Sequence, residues 1–268
     1  LRQLFQNLLD SGLKPKTVSN IRGTFSVALG DAVGDGLLLT NPVPDAKLRK
    51  QHRGTRKPGP APSARKKVLE PDELQRFVSW CLVNEVTNQW AVPLLLIANT
   101  GMRRGEALGV AWDRVDFARR LLTIDQQVEQ LDDGTLVVRP VKTEQSNRII
   151  ELTPGTVALL RRLRARQKVV HMDGLIFTDR SGQPYIPDSL TQYVCKNLRA
   201  KLQMPDKFTP HALRHTHASG LLEDGVDEAI VAARLGHSSA YITQLIYNHA
   251  TTAGDGVAAS KWARRVGE

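Results

Sequence analysis

Apolar residues recur at helical spacing from Leu1 to Leu39, first in "LRQLFQNLLDSG" and then, after the "KPKT" break, in "TVSNIRGTFSVALGDAVGDGLL". Gly12 stops the first predicted helix, and the Thr17 hydroxyl is placed to cap the second. "TNPVPDA" ends the pattern, because a residue before proline is pushed out of the helical region. The spacing therefore predicts a small all-helical module over 1–46.

Bulky apolar residues then almost vanish across "KLRKQHRGTRKPGPAPSARKK", which reads as a basic interdomain linker over 47–67. Periodicity resumes at "VLEPDELQRFVSWCL", where Pro71 suits the first helical position and Asp72 and Glu73 suit the positive helix N-terminus. "QWAVPLLLIANTGM" predicts a more buried helix. From "RLLTIDQQVEQ" the period becomes strand-like and continues, past the turn "LDDG", through "TLVVRPV", "KTEQ" and "NRIIELT", giving a short antiparallel sheet with tight hairpins. Beyond Pro154 the pattern is helical again, apart from strand-like "GLIFTD". The predicted fold class is mainly α with a small antiparallel β-sheet, and 68–268 forms the second domain.

Charge changes this picture. With 37 Lys and Arg against 27 Asp and Glu, the 268-residue chain carries a formal +10, spread from end to end. That favours a long polyanion such as nucleic acid over a small acidic substrate. Two cysteines, Cys81 and Cys195, support neither a disulfide framework nor a zinc site, which suits a reducing, cytoplasmic setting. The run "WAVPLLLIA" is about half the roughly 20 residues needed to span a bilayer. The chain starts at Leu1 inside an amphipathic pattern, so a longer parent protein is expected.

The densest chemistry lies in "TPHALRHTHASGLLEDG", with three histidines and an arginine close together. His211 and Arg214 are three apart, on one face of a helix. His211 and His215 also have the i, i+4 spacing of zinc ligands, without an acidic or cysteine partner nearby, so a phosphate site and a metal site both remain readings of this segment. Elsewhere, "TGMRRGEALGV" offers two arginines and a glutamate able to pair with one of them. Lys142 stands in "VKTEQSNR" at the start of a predicted hairpin turn, His237 follows the helix stop at Gly236, and Tyr247 comes ten residues later. Taken singly, each has an ordinary reading as a solvated charge or a packed ring.

Taken in order, "TGMRRGE" with Arg103, "VKTEQSNR" with Lys142, "HALRHT" with His211 and Arg214, "LGH" with His237 and "IYNH" with Tyr247 resemble the tyrosine recombinases of the phage-integrase kind, over about 200 residues. Residues 1–46 resemble the second half of that family's helical core-site-binding domain. Two details differ or need choosing: Glu70 stands where the family more often has a Ser or Thr cap, and of the paired arginines Arg103 directly follows "TGM". The resemblance implies a mixed α+β catalytic domain that cleaves and rejoins double-stranded DNA core sites through a 3′-phosphotyrosyl link. It implies a homotetramer on two DNA sites, with room for an accessory directionality factor, and no metal, ATP or other cofactor.

In that scheme Arg103 and Arg214 clamp the non-bridging phosphate oxygens and His237 adds a third donor. Tyr247 attacks phosphorus, Lys142 protonates the leaving 5′-oxygen, and His211 takes or relays the tyrosine proton. The tail after Tyr247 carries Trp262 and reads as a helix that packs in cis or docks on a neighbouring protomer. A type IB topoisomerase or telomere resolvase uses a similar residue set, and a non-catalytic DNA-binding regulator would keep the fold without the chemistry. The integrase of a mobile element is the expectation.

Overall fold

The computed structural model describes residues 1–46, 68–168, 173–236 and 252–267. The linker expected at 47–67, His237 and Tyr247 lie outside the described residues. The chain divides into two compact units, Leu1–Ala61 and Pro62–Glu268.

In the first unit, helices α1 (Arg2–Asp10) and α2 (Pro15–Gly34) enclose a small core of Phe5, Val18, Val43 and Ala46. The Phe5 and Phe25 rings meet edge to face, 5.8 Å apart. Asn41 folds the following segment back, donating to the Ser26 carbonyl at 2.8 Å and accepting from the Val43 amide at 3.0 Å. Thr17 does not cap α2. The helix starts earlier, with Lys14 at the cap position, because the fixed φ of Pro15 suits the first helical residue.

The second unit opens with α3 (Pro71–Val83), whose cap position is Glu70. The longer carboxylate does what a serine or threonine would: its side chain accepts from the third-residue amide, while Glu73 accepts from the Glu70 amide at 2.9 Å. Every residue of α4 (Ala91–Thr100) is buried, as its unbroken apolar run predicts. Each leucine so buried contributes about 2 kcal/mol. Short α5 (Arg104–Leu108) follows.

The strand region differs from the single sheet expected. Strands β1 (Val115–Asp116), β2 (Leu121–Ile124) and β5 (Arg148–Glu151) form one antiparallel sheet in the order β1-β2-β5, and β3 (Gln126–Gln130) pairs with β4 (Leu136–Pro140) in another. The break falls at Asp125, which turns its side chain to Arg114 Nε at 2.8 Å and its carbonyl to the Val141 amide at 3.0 Å. Because β5 registers against β2, with Leu122 opposite Ile150, the segment holding Lys142 crosses from one sheet to the other. It is not a tight hairpin. "GLIFTD" forms only isolated bridges, Ala111 with Leu175 and Thr178 with Pro184.

Helix α6 (Pro154–Arg166) follows, then α7 (Pro187–Tyr193), which runs through a π-helical turn at Val194–Leu198 into α8 (Arg199–Lys201). Helices α9 (Pro210–Glu223) and α10 (Glu228–Leu235) complete the core with α4. The last helix, α11 (Thr252–Val266), packs on its own chain: Trp262 is fully buried, its Nε1 donating to Asn99 Oδ1 at 3.2 Å, and Lys261 donates to the Asp224 carbonyl at 2.6 Å. No helix among the described residues is long and apolar enough to cross a membrane.

Candidate active site

Three loop ends converge around a group of arginines. The α4 helix stops at Gly101 in the left-handed conformation, φ +70°, and a side chain there would drive into Leu235 and His217. The reversal leads to Arg103, which caps α5. Its amide donates to Glu106 Oε2 at 2.9 Å, and its guanidinium donates to Glu106 Oε1 at 2.7 Å and to the Gly236 carbonyl at 3.0 Å. Arg104 turns elsewhere, to Thr191 Oγ1 at 2.7 Å and Asp188 at 2.6 Å.

Glu106 is almost wholly buried. Burial alone would raise its carboxyl, but the neighbouring Arg148 and Arg103 outweigh it and hold the group below its ordinary value. Arg148, at the start of β5, donates to Glu106 Oε2 at 2.9 Å, to the Ser146 carbonyl at 2.8 Å and to the Arg234 carbonyl at 2.6 Å.

Arg214 lies under this layer, 4% exposed. Its partners are main-chain carbonyls, Gly101 at 2.7 Å and Leu235 at 2.8 Å, and among the described residues it makes no ion pair. Burial, and then the charge of Arg103, push its pKa down to about 9. Three consecutive carbonyls at the C-terminal end of α10 thus each hold a guanidinium: Arg234 holds Arg148, Leu235 holds Arg214 and Gly236 holds Arg103. The negative end of the helix dipole suits them.

Lys142 shares a cavity of about 420 Å³ with Arg103, Glu106 and Ser146. Its ammonium is exposed and lies 3.4 Å from Glu129 Oε1. His211 is exposed in the first turn of α9, where Thr209 caps the helix by accepting from the Ala212 amide at 3.1 Å, and its ring centre is 4.4 Å from that of His215. The third histidine of the segment points away: His217 is fully buried, with Nδ1 3.0 Å from the Ala98 carbonyl and Nε2 accepting from Arg234 Nε at 3.1 Å. The histidines so close in sequence therefore divide between two environments.

The structure brings Arg103 and Arg214 together on the end of α10 and places Lys142 on Arg103's cavity. The sequence pattern singled out neither Arg148 nor Arg234, nor Asp255, which salt-bridges Arg234 at 2.6 Å. The available signal was an arginine set directly against apolar residues, in "RII" and "AARLG".

The chain is 26% identical over 270 residues to a tyrosine recombinase XerC-like protein of Caldanaerobacter subterraneus subsp. tengcongensis, covering 93% of this chain and 66% of that protein. It is 27% identical over 259 residues to the ICEBs1 integrase of Bacillus subtilis, covering 91% and 64%. The chain thus spans just under two thirds of the length of these relatives. Its fold is that of the Tn1549 transposon integrase, solved in complex with a circular intermediate DNA, with a TM-score of 0.70 at 20% identity over 97% of this chain and 83% of that one. Residues 67–253 match the phage integrase family model, and the chain belongs to that family of tyrosine recombinases.

Proposed function

We propose that this chain is the DNA-cleaving and rejoining part of a site-specific recombinase that moves a mobile element. Arg214 carries the reading: a buried guanidinium held on carbonyls beside a second arginine is a site short of negative charge, and a scissile phosphate supplies it.

In the proposed reaction Arg103 and Arg214 donate to the two non-bridging oxygens and stabilise the charge that grows on them in the pentavalent transition state. The Tyr247 oxygen bonds to phosphorus while the bond from phosphorus to the 5′-oxygen breaks. Lys142 gives its proton to that oxygen, and His211 takes the tyrosine proton. His237 adds a donor to the phosphate. Attack by another strand's 5′-hydroxyl reverses these transfers and releases Tyr247, so the phosphodiester energy is kept in the covalent link and no nucleotide cofactor enters.

The first unit and the basic 47–67 segment contribute phosphate contacts on duplex core sites, and four protomers act on two sites, with an accessory factor setting direction. Both curated relatives named above are bacterial proteins, which suits a cytoplasmic place of action, and the ICEBs1 integrase name supports the mobile-element reading.

The test is covalent capture. The chain and its Tyr247→Phe variant are mixed with a random-sequence duplex pool in EDTA and run on a denaturing gel. A protein–DNA band given by the wild type and lost in the variant is expected, and the captured duplexes are sequenced. Salt-sensitive binding without a band would favour a non-catalytic regulator. Relaxation of any supercoiled plasmid, regardless of sequence, would favour the topoisomerase reading.

A further inference from the structure

We propose that Arg148 is a positioning residue for strand cleavage, setting the segment that carries Lys142 against the arginines that receive the phosphate. This inference rests on the recombinase reading above.

The side chain is 7% exposed, and its three donors reach acceptors on three separate segments. Nη2 holds Glu106, the carboxylate that orients Arg103; Nε holds the carbonyl of Arg234, in the last turn of α10; Nη1 holds the carbonyl of Ser146, four residues beyond Lys142. Lys142 is fixed weakly by its own contacts, being 71% exposed with Glu129 at 3.4 Å. Its segment is anchored instead at Ser146. The Ser146 hydroxyl bonds Thr143 at 2.9 Å and reaches Arg103 at 3.4 Å, while Arg148 grips the carbonyl of the same residue.

A guanidinium is an expensive way to fill this space. A buried ion pair is often no more stabilising than well-packed apolar side chains, and here the cation also sits near Arg103 and Arg234, whose charges oppose it. What an apolar residue could not do is tie three backbone segments at fixed distances. Residues that orient the ligands of metal sites change affinity or activity by about 10- to 100-fold when removed, and an effect of that order is expected of Arg148.

In the cleavage step the bond from phosphorus to the 5′-oxygen breaks, and that oxygen takes a proton from Lys142. If sulfur replaces this bridging oxygen, the leaving thiolate needs no proton. A defect caused by a misplaced acid therefore shrinks on the sulfur substrate, whereas a loss of folded molecules slows both substrates alike.

The experiment uses duplexes captured by the wild-type chain, resynthesised with oxygen or sulfur at the scissile bridge, and measures covalent-complex formation by wild type, Arg148→Gln, Arg148→Lys and Lys142→Ala. Arg148→Gln is expected to be about 100-fold slower than wild type on oxygen but no more than about tenfold slower on sulfur, with Lys142→Ala rescued in the same way. Arg148→Lys keeps a charge beside Glu106 but cannot reach all three acceptors. It should fall between, again with sulfur rescue. Equal slowing on both substrates, or no slowing, overturns the proposal. Should Arg148→Gln fail to fold by thermal melting, Arg148→Lys against wild type decides on the same criterion. If the wild type captures no duplex, it is the recombinase reading that fails, and this inference with it.

Discussion

Arg234 donates from Nε to His217 Nε2 at 3.1 Å, inside the core and out of reach of water. The remaining ring nitrogen, Nδ1, faces the Ala98 carbonyl at 3.0 Å and must carry the proton. Histidine is thus built in as an acceptor for a buried arginine. Burial, together with the Arg234 charge, drives its pKa well below the ordinary value.

Stability should respond to pH accordingly. Below about pH 6.5 the unfolded chain takes up a proton at His217 that the folded chain refuses, so the fold weakens as pH falls through that window, by up to about 1.4 kcal/mol per pH unit. Above it the contribution is fully present. Urea unfolding at pH 7.5, 6.5 and 5.5, compared with His217→Gln, should show a smaller loss in the variant. Parallel curves would mean that His217 is not the group responsible.

Arg214, which makes no ion pair among the described residues, should respond to anions. Sulfate mimics the charge and shape of a phosphate, and it should raise the melting temperature of the wild type more than that of Arg214→Met. The same variant should lose about 3–4 kcal/mol of transition-state stabilisation in strand cleavage, several hundredfold in rate. An equal sulfate effect on both proteins would count against a phosphate site at this guanidinium.

Gly101 turns the chain so that its carbonyl meets Arg214. An added Cβ would lie 2.5 Å from Leu235 Cδ2 and 2.8 Å from His217 Cδ2, in a left-handed conformation that costs a non-glycine residue about 1–2 kcal/mol. Gly101→Ala should destabilise the protein by about 2–4 kcal/mol in all, read from denaturant midpoints. Cleavage should fall further than stability predicts, because the Arg214 acceptor moves.

The salt bridge from Asp255 to Arg234 fastens α11 to the site's outer wall, and Trp262 fills the space beside it. Asp255→Asn leaves a buried guanidinium without its carboxylate and should cost about 3–5 kcal/mol. Trp262→Ala should cost a similar amount through the cavity it opens. Both residues reach the same network through Asn99 and Arg234, so the double variant should lose less than the sum of the single losses. Full additivity would show that the helix is held at independent points.

Much of this architecture is legible in the chain. Pro71, the apolar run 90–98 and Gly236 marked helix boundaries through local rules that tertiary contacts had no reason to override. The six residues expected to act, of which His237 and Tyr247 lie outside the described residues, rest on the order of the boxes rather than on local physics, since Arg103 alone reads as a surface charge. What stayed hidden depended on contacts distant in sequence. Leu121–Glu151 pairing separates β5 from β4, and no period in "RLLTIDQQVEQ" reveals that the strand breaks at Asp125. Arg148 looked like an alternating strand residue, although its side chain meets a helix end 86 positions away. Trp262 marks the tail as a packing helix without saying what it packs on, and Asp255 carries no local mark at all.

The end of α10 has a consequence for when the receptor is made. Guanidiniums repel one another, and a surface lysine or arginine gathered around an incoming anion must be drawn in against that repulsion as the complex forms. Here Arg148, Arg214 and Arg103 are anchored on successive carbonyls of one helix end, so the work of crowding like charges falls on folding. In the proposed reaction the scissile phosphate is met by guanidiniums that the fold itself has gathered.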